Sequence, residues 1–452
     1  MAAYLKRVHH ISLHVSHAGS VVHDLVSKLK FDLFAARITD DARQFACRKG
    51  AAVFVVNERP RPRPHAGHPT LNGEETLRLG DKCYSHQHHH HHDDATTTGG
   101  CLYDVHSPYA VDTACNVCFE VRDVERSFRS LRDQGCDLLV PPTVVRDGDG
   151  GGGGAVTYTV VRSVVGNVRH TLLDKSGYEG HFLPGFKDIP NPGTGGGDAD
   201  DPCPVTHFDH ITYACQKKTA SHVMQWYARC FGFQRFFLES NEDEGEGYVL
   251  TGEDIGLRLT AMSYWKCSEA GMKLSFMDKK EPDCKFVMAE SLPGQGSNQI
   301  DTFLKQHGGP GIQHIGLHTN DIVSTARTMA EAGVQFFSPP PTYYTEVDKC
   351  QEIAAAGHSP KSLAQHGILL DTDLRQGAHD QTTPNTDRRY LLQVFTKPIF
   401  TEETFFLELI ERQGASGFGE GNIRALWRSV QSYMEKEKEE SLWRRQCSER
   451  HQ

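Results

Sequence analysis

The sequence lacks a long apolar run, a basic stripe and an ordered set of cysteines. No stretch reaches the roughly 18 apolar residues that a membrane-spanning helix needs, which excludes an integral membrane protein built on such helices. Lys and Arg number 48 against 58 Asp and Glu, a formal net charge of -10, so nucleic acid is not an expected partner. The 13 cysteines are odd in number and irregularly spaced, which predicts reduced thiols rather than a disulfide framework.

Hydrophobic residues make up 38% of the chain, which is enough for a buried core. The length of 452 residues suggests about three domains of ordinary size or two larger ones. Several segments lack apolar periodicity and predict surface loops: 57–72, 88–92, 148–154, 191–202 and 357–388. The unbroken His run of 88–92 offers a metal no fixed geometry, so a tolerated polar insertion is the preferred interpretation. The Gly run of 148–154 is not followed by Lys-Ser/Thr, which excludes a P-loop.

Two internal repeats organise the chain. Residues 116–142 align with 314–340 without a gap, and residues 10–15 align with 210–215. The longer pair matches a helix-capping Asp, a helix-ending Gly and a Pro-Pro pair: Asp123 with Asp321, Gly135 with Gly333, and Pro141-Pro142 with Pro339-Pro340. Each copy predicts a strand, a helix ended by Gly and a second strand stopped by Pro-Pro.

The repeats predict an α+β fold in two tandem halves. Each half pairs two βαβββ modules into a curved, barrel-like sheet with its helices outside. We expect the first half at 1–190, with a loop insertion near 57–112, and the second half at 203–424. Residues 425–452 are apolar at first and then charged, which predicts a terminal helix.

The second half carries two strand histidines and a strand carboxylate. His210 and His314 begin corresponding modules, and Glu408 lies between apolar neighbours in the strand 405–412. A carboxylate is costly to bury there unless it binds a cation or a proton. Two His and one carboxylate from separate strands predict a metal site with open positions, the arrangement of non-haem Fe(II) oxygenases. Zn²⁺ also accepts these ligands, and spacing alone does not separate the two metals.

The first half lacks two of these three side chains. Its counterpart of the first histidine is His10, but the second histidine is replaced by Asn116, and Thr171 falls roughly where the carboxylate stands. We therefore predict that the first half is structural and that the second half carries the chemistry. The remaining strand histidines are interpreted as core or surface residues: His14, His207 and His318.

A family resemblance rests on several long motifs: HHISLHV (9–15), HTLLDKSGYEGHFLPGF (170–186), HFDHITY (207–213), GGPGIQHIGL (308–317), YLLQVFTKP (390–398) and FFLELIERQGASGFGEGN (405–422). Through them the chain resembles the 4-hydroxyphenylpyruvate dioxygenase family of the vicinal oxygen chelate superfamily, and its long insertions resemble the dioxygenase-like animal members. The resemblance implies Fe(II) as cofactor, with His210, His314 and Glu408 as its ligands. It also implies a substrate pocket formed by Gln299, Gln313, Gln393, Phe395, Phe406, Phe418 and Asn422.

Two positions depart from the dioxygenases of this family. Leu274, followed by Ser275, stands where they have Ser, and Ala289 stands where they have Asn. Hydroxymandelate synthase, which oxidises the benzylic carbon of the same substrate, also lacks the Asn. We therefore expect decarboxylation of 4-hydroxyphenylpyruvate and benzylic hydroxylation to 4-hydroxymandelate. The alternatives are homogentisate formation, a non-catalytic metabolite-binding protein and a glyoxalase-type isomerase.

The resemblance implies a small-molecule 2-oxo acid and O₂ as partners and leaves a homodimer open. It associates the chain with mitochondria, where hydroxymandelate would feed a ubiquinone head group, and the cytoplasm is the alternative. The first 23 residues contain no acidic residue, which is compatible with a mitochondrial address. The same stretch also predicts the first strand and helix of the fold.

Overall fold

Two β-sheets, one from each half of the chain, form the framework of the protein. A computed structural model describes residues 5–60, 101–106, 109–147, 154–190, 201–237, 242, 247–252, 255–264, 284–294, 298–372, 389–402, 404–415, 417–419 and 421–423. Outside these residues lie Leu274, the His run of 88–92, most of the Gly run, 191–200, 373–388 and the predicted terminal helix of 425–452. No described helix has the length and apolar character needed to cross a membrane.

The first half supplies the first sheet. Its described elements are β1 (Leu5–Val15), α1 (Ala18–Ser27), β2 (Asp32–Ile38), β3 (Arg43–Lys49), β4 (Ala52–Glu58), β5 (Thr113–Val121), α2 (Val124–Asp133), β6 (Leu138–Arg146), β7 (Ala155–Arg162), β8 (Arg169–Asp174) and β9 (Lys187–Asp188). The strands lie in the order β6-β7-β8-β5-β1-β4-β3-β2-β9. The central strand β1 is parallel to β4 and antiparallel to β5.

The second half supplies the second sheet. Its described elements are β10 (Val205–Cys215), α3 (Ala220–Phe231), β11 (Phe233–Phe236), β12 (Tyr248–Gly252), β13 (Ile255–Tyr264), β14 (Lys285–Ser291), α4 (Gln299–His307), β15 (Gly311–Thr319), α5 (Ile322–Glu331), a short 3₁₀ helix (Pro341–Tyr344), α6 (Val347–Ala355), α7 (Pro360–Ala364), β16 (Leu369–Thr372), β17 (Tyr390–Phe395) and β18 (Phe406–Gln413). The strands lie in the order β11-β13-β14-β10-β15-β18-β17-β16, with β12 beside β13. The strand β10 is parallel to β14 and antiparallel to β15, as β1 is to its two neighbours.

The two halves follow one plan, which confirms the α+β class with curved sheets. The helices α2 and α5 begin in the same way in both halves. Asp123 accepts a hydrogen bond from the backbone N–H of Arg126 at 2.8 Å, and Asp321 accepts one from Ser324 at 2.9 Å. Each carboxylate thereby satisfies one of the free N–H groups of a first helical turn, so the aligned Asp residues fix where the repeated helices start.

Two expectations about segment ends are wrong. Pro141 and Pro142 do not stop β6, which continues to Arg146. The pairing of β6 with β7 shifts at the prolines, so the strand continues although these two residues have no N–H to donate to β7. The segment 357–388 is not a loop throughout, since α7 and β16 lie in its described part. Leu363 and Leu369 are buried there, and β16 gains hydrogen bonds from β17.

Aromatic side chains of β8, α3 and β10 join the two halves. The Nε2 atom of His170 lies 2.7 Å from the hydroxyl of Tyr227, and its Nδ1 lies 3.2 Å from the carbonyl oxygen of Val117. The hydroxyls of Tyr227 and Tyr213 are hydrogen-bonded at 3.0 Å. The first half therefore supports β10, the strand on which the first candidate metal ligand lies.

A candidate metal centre

Three neighbouring strands of the second sheet bring the predicted ligands together. His210 lies on β10, His314 on β15 and Glu408 on β18, and β15 pairs with both of the other strands. The Oε2 atom of Glu408 is 3.0 Å from Nε2 of His210 and 3.7 Å from Nε2 of His314. All three ligand atoms lie within 4.8 Å of one another. His210 and Glu408 are buried, and His314 is partly exposed toward the cavity described below.

Asp209 and Arg412 orient the first histidine. The Nδ1 atom of His210 is 2.9 Å from Oδ1 of Asp209, so an N–H there directs the lone pair of Nε2 to the centre. Arg412 donates to both oxygens of Asp209, at 2.6 and 2.7 Å. Burial opposes ionisation of Asp209, but Arg412 and His210 outweigh it and hold the pKa of the carboxyl well below its usual range. Burial also disfavours charge on His210, yet Glu408 and Asp209 raise its pKa to about 9.

A chain of hydrogen bonds fixes the carboxylate. Gln393 on β17 donates from Nε2 to Oε1 of Glu408 at 2.9 Å and to the carbonyl oxygen of Phe418 at 2.8 Å. Asn422 donates to Oε1 of Gln393 at 3.2 Å, and the hydroxyl of Tyr343 donates to Asn422 at 2.7 Å. The carboxylate orientation is therefore linked to the segment that follows β18.

Aromatic rings and one amide hold the second histidine. The ring of Phe406 stacks on His314 with centroids 4.7 Å apart, and Oε1 of Gln313 lies 3.2 Å from Nδ1 of His314. Burial lowers the pKa of His314 well below its usual value, and the neighbouring His210 adds to that shift. His314 is therefore neutral at physiological pH, as a metal ligand must be.

The centre opens into a cavity of about 660 Å³. All of the sequence-predicted site residues line it: His210, His314, Glu408, Gln299, Gln313, Gln393, Phe395, Phe406, Phe418 and Asn422. The remaining wall is mostly apolar: Thr212, Leu257, Leu259, Val287, Ala289, Ile300, Gly419 and Ile423. A mostly apolar wall with a few convergent polar groups is typical of a small-molecule site.

Comparisons with known proteins identify the family of the chain. Residues 207–350 match the family model described as the Glyoxalase/Bleomycin resistance protein/Dioxygenase superfamily. The 4-hydroxyphenylpyruvate dioxygenase-like proteins of Rattus norvegicus and Homo sapiens are 40% and 39% identical to the chain, over 95% of it and 98% of their own length. The 4-hydroxyphenylpyruvate dioxygenase of Yarrowia lipolytica is 28% identical over 71% of the chain and 72% of its own length. The chain belongs to the 4-hydroxyphenylpyruvate dioxygenase-like family.

A solved structure shares the fold of this dioxygenase-like chain. A triple mutant of 4-hydroxymandelate synthase from Streptomyces coelicolor is 22% identical, with a TM-score of 0.63, and the match covers 96% of this chain and all 100% of the other. In this scaffold the donor set of His210, His314 and Glu408 fits a divalent metal. The imidazole of His314 is neutral, that of His210 would give up its Nε2 proton to a metal, and the buried carboxylate points at the same space.

Sequence reasoning missed the side chains that orient the ligands. Asp209 precedes His210 in the chain, and neighbours in a regular strand face opposite ways. Here the pairing of β10 with β15 shifts between Phe208 and His210, which brings the two side chains within hydrogen-bond distance. The shift leaves no mark in the residue pattern. The ion pair between Asp209 and Arg412, which lie far apart in the sequence, was not predictable from the residue pattern either.

The first half of the dioxygenase-like chain fills the corresponding space with its own backbone. Cys118 on β5 faces Thr171 on β8, just as Gly316 faces the carboxylate residue in the second half. Asn116 donates to the carbonyl oxygen of Tyr103 at 3.3 Å, and Thr171 donates to it at 2.7 Å. The carbonyl oxygen of Tyr103 therefore accepts hydrogen bonds from Asn116 and Thr171, the two residues that stand in place of His314 and Glu408.

Proposed function

We propose that the protein is an Fe(II)-dependent dioxygenase that decarboxylates 4-hydroxyphenylpyruvate and hydroxylates its benzylic carbon to give 4-hydroxymandelate. The observation that carries the proposal is the single oxygen of Glu408 that faces both His210 and His314 at the floor of a largely apolar cavity. Zn²⁺ suits the same donors, but it has no redox chemistry, and the dioxygenase chemistry named for the relatives needs a metal that reacts with O₂, as Fe(II) does.

Bound Fe(II) would supply open positions where the 2-oxo acid and O₂ react, with loss of CO₂. The protein's own part is to hold and shield the substrate. Phe395, Phe406 and Phe418 line the cavity and offer apolar faces to a phenyl ring. The amide of Gln299 also lines the cavity and offers a polar partner for the phenol. Because most of the wall is apolar, it excludes water from the reacting carbon.

The position of Ala289 supports benzylic over ring hydroxylation. Ala289 is buried in the cavity wall beside Leu257, Leu259 and Val287, and these four side chains offer the substrate no hydrogen bond. A ring held by shape alone can tilt, which brings the benzylic carbon rather than the ring to the reactive position. Homogentisate is the alternative product when the ring is presented.

The test is product analysis of iron-reconstituted protein. The purified chain is loaded with Fe(II) without oxygen, mixed with 4-hydroxyphenylpyruvate, exposed to O₂ and analysed by mass spectrometry. We expect 4-hydroxymandelate and CO₂, and we expect neither from Glu408→Ala or from zinc-loaded protein. Homogentisate as the sole product would overturn the choice of carbon. Oxygen consumption no greater than that of Glu408→Ala would overturn the enzyme assignment and favour a binding protein.

We also propose a mitochondrial location in which the product feeds a ubiquinone head group. The acid-poor first 23 residues support this proposal, but β1 and α1 span Leu5–Ser27, so cleavage after this stretch would remove the central strand of the first sheet. Any address there must therefore be retained in the folded protein. Fractionation of cells that express the chain with a C-terminal tag tests the location, and an unshortened cytosolic protein would contradict it.

A further inference from the structure

A second group of metal-ligating atoms lies in the first half. The ring nitrogens of His9 and His10 and the thiol of Cys118 lie within 4.8 Å of one another. The two Nδ1 atoms are 2.8 Å apart. Consecutive strand residues normally face opposite ways, but the pairing of β1 with β5 shifts between Val8 and His10, which brings both imidazoles to one side.

The repeat explains why these atoms differ from the triad in the second half. A side-chain carbon at Gly316 would collide with the ring of His210, so that glycine makes room for the liganding histidine. The first half has Cys118 at the corresponding position, and His10 therefore needs another ring orientation. His9 stands where Asp209 stands in the second half. In the second half Gly316 and Asp209 only support His210. The residues at the corresponding positions of the first half, Cys118 and His9, each carry an atom that can bind a metal.

The cluster is enclosed and has one accessible edge. Cys118 and His10 are buried, whereas His9 is partly exposed. Phe182 stacks on His9 with ring centroids 5.7 Å apart and packs edge-on against His10 at 6.2 Å. Cys118 is a free cysteine. An ion would enter past His9 and be held against the two central strands β1 and β5.

A neighbouring cluster of similar composition already has its cation. His14, Asp104 and Cys115 also lie within 4.8 Å of one another. There the guanidinium of Arg169 donates to Asp104 at 3.1 Å and to Cys115 at 3.2 Å. The guanidinium of Arg169 thereby balances the charge of the buried Asp104 carboxylate, which leaves that carboxylate no need of a metal ion.

We propose that His9, His10 and Cys118 form a Zn²⁺ site in the first half. Two imidazoles and one thiolate are the donors of a thiophilic, tetrahedral ion, with water at the fourth position, and not those of Mg²⁺ or Ca²⁺. The ion would tie β1 to β5, and its site is separate from the iron proposed for the second half. The competing explanation is a hydrogen bond between the two imidazoles with no bound ion.

Co²⁺ tests the site because its absorption spectrum shows whether a thiolate is among its ligands. The metal-free full-length protein is titrated with Co²⁺, and a charge-transfer band from sulfur to Co²⁺ in the near ultraviolet is recorded. The second-half triad contains no sulfur, so this band cannot come from it. We expect a saturable band whose final intensity corresponds to one sulfur-ligated Co²⁺ per chain, in addition to any Co²⁺ held by the second-half triad, and which disappears when Zn²⁺ is added.

Three variants make the test specific. Cys118→Ser should abolish the band, and Cys47→Ser, a change of another buried thiol on β3, should leave it intact. His9→Asn alters only the partly exposed ligand and should weaken Co²⁺ binding more than about 10-fold, since even outer partners of metal ligands carry that much affinity. Absence of the band in folded wild-type protein, or its persistence in Cys118→Ser, would overturn the proposal. Circular dichroism verifies that each variant is folded.

Discussion

Gln393 binds one oxygen of Glu408 and leaves the other to the histidines. Its Nε2 lies 2.9 Å from Oε1, while Oε2 lies 3.0 Å from His210. The family resemblance implies that Gln393 belongs to the substrate pocket, and Gln393 lines the cavity. Its hydrogen bond shows a further part: it sets the direction in which the carboxylate presents its free oxygen.

Replacing Gln393 by Ala should weaken metal binding more than it alters the fold. Loss of an outer hydrogen bond to a metal ligand typically costs about 10- to 100-fold in affinity. Isothermal titration of metal-free protein with Fe(II) under nitrogen measures this loss. Gln299→Ala is the matched control, because Gln299 lines the same cavity on α4. Equal Fe(II) affinities for the Gln393 variant and the wild type would contradict an orienting role.

Asp209→Asn should lower both metal affinity and stability. The change removes the negative partner of Arg412, a partly buried guanidinium that keeps its hydrogen bonds to the carbonyl oxygens of Ala415 and Gly417, so we expect a loss of about 1 to 3 kcal/mol in the free energy of unfolding. Urea unfolding measures that loss. The double variant Asp209→Asn, Arg412→Gln should recover much of the stability without recovering the affinity for Fe(II). Simultaneous recovery of both would mean that Asp209 does not orient His210.

Ala289→Asn should move the product from 4-hydroxymandelate toward homogentisate. The new amide would reach into the cavity from β14 and offer the substrate a hydrogen bond. One such bond is worth about 1 kcal/mol, which changes a product ratio about five-fold. Ala289→Leu adds the same number of side-chain heavy atoms with the same branching but without the polar groups, and it serves as the control for added bulk. A similar shift in both variants would show that volume, not hydrogen bonding, selects the carbon.

The candidate triad and the repeated fold could be predicted because each is signalled by the type of individual residues at strand positions or helix starts. The aligned Asp123 and Asp321 mark two helix starts, and Glu408 is conspicuous among apolar neighbours. Features that depend on strand register were not predictable. The orienting contact of Asp209 needs a shift in pairing that no residue type signals.

The sequence also did not show which group takes the place of the missing side chains in the first half. The carbonyl of Tyr103 occupies the donors of Asn116 and Thr171, although it comes from a segment that composition marks only as part of an insertion. The position of Thr171 opposite Cys118 confirms its predicted correspondence with Glu408. What replaced the missing ligands followed only from the tertiary structure, because a backbone carbonyl has no side-chain signature.

His170 should make the protein less stable in acid. Burial lowers the pKa of its imidazole from 6.5 to about 3. Between these values the unfolded chain binds more protons than the folded chain, so stability falls as the pH drops below 6.5. One group of this kind contributes about 1.4 kcal/mol for each pH unit. Urea unfolding of metal-free protein at several pH values between neutrality and mild acid measures the slope.

The contribution of His170 is the difference between two slopes, because other buried histidines titrate in the same range. His170→Gln should be less stable than the wild type at neutral pH, and the gap should narrow as the pH falls, since glutamine does not take up a proton. His23→Gln changes an exposed histidine on α1 and should run parallel to the wild type. A His170→Gln curve that also ran parallel would mean that the buried imidazole keeps an ordinary pKa, and that the hydrogen bonds to Tyr227 and Val117 do not depend on its neutral form.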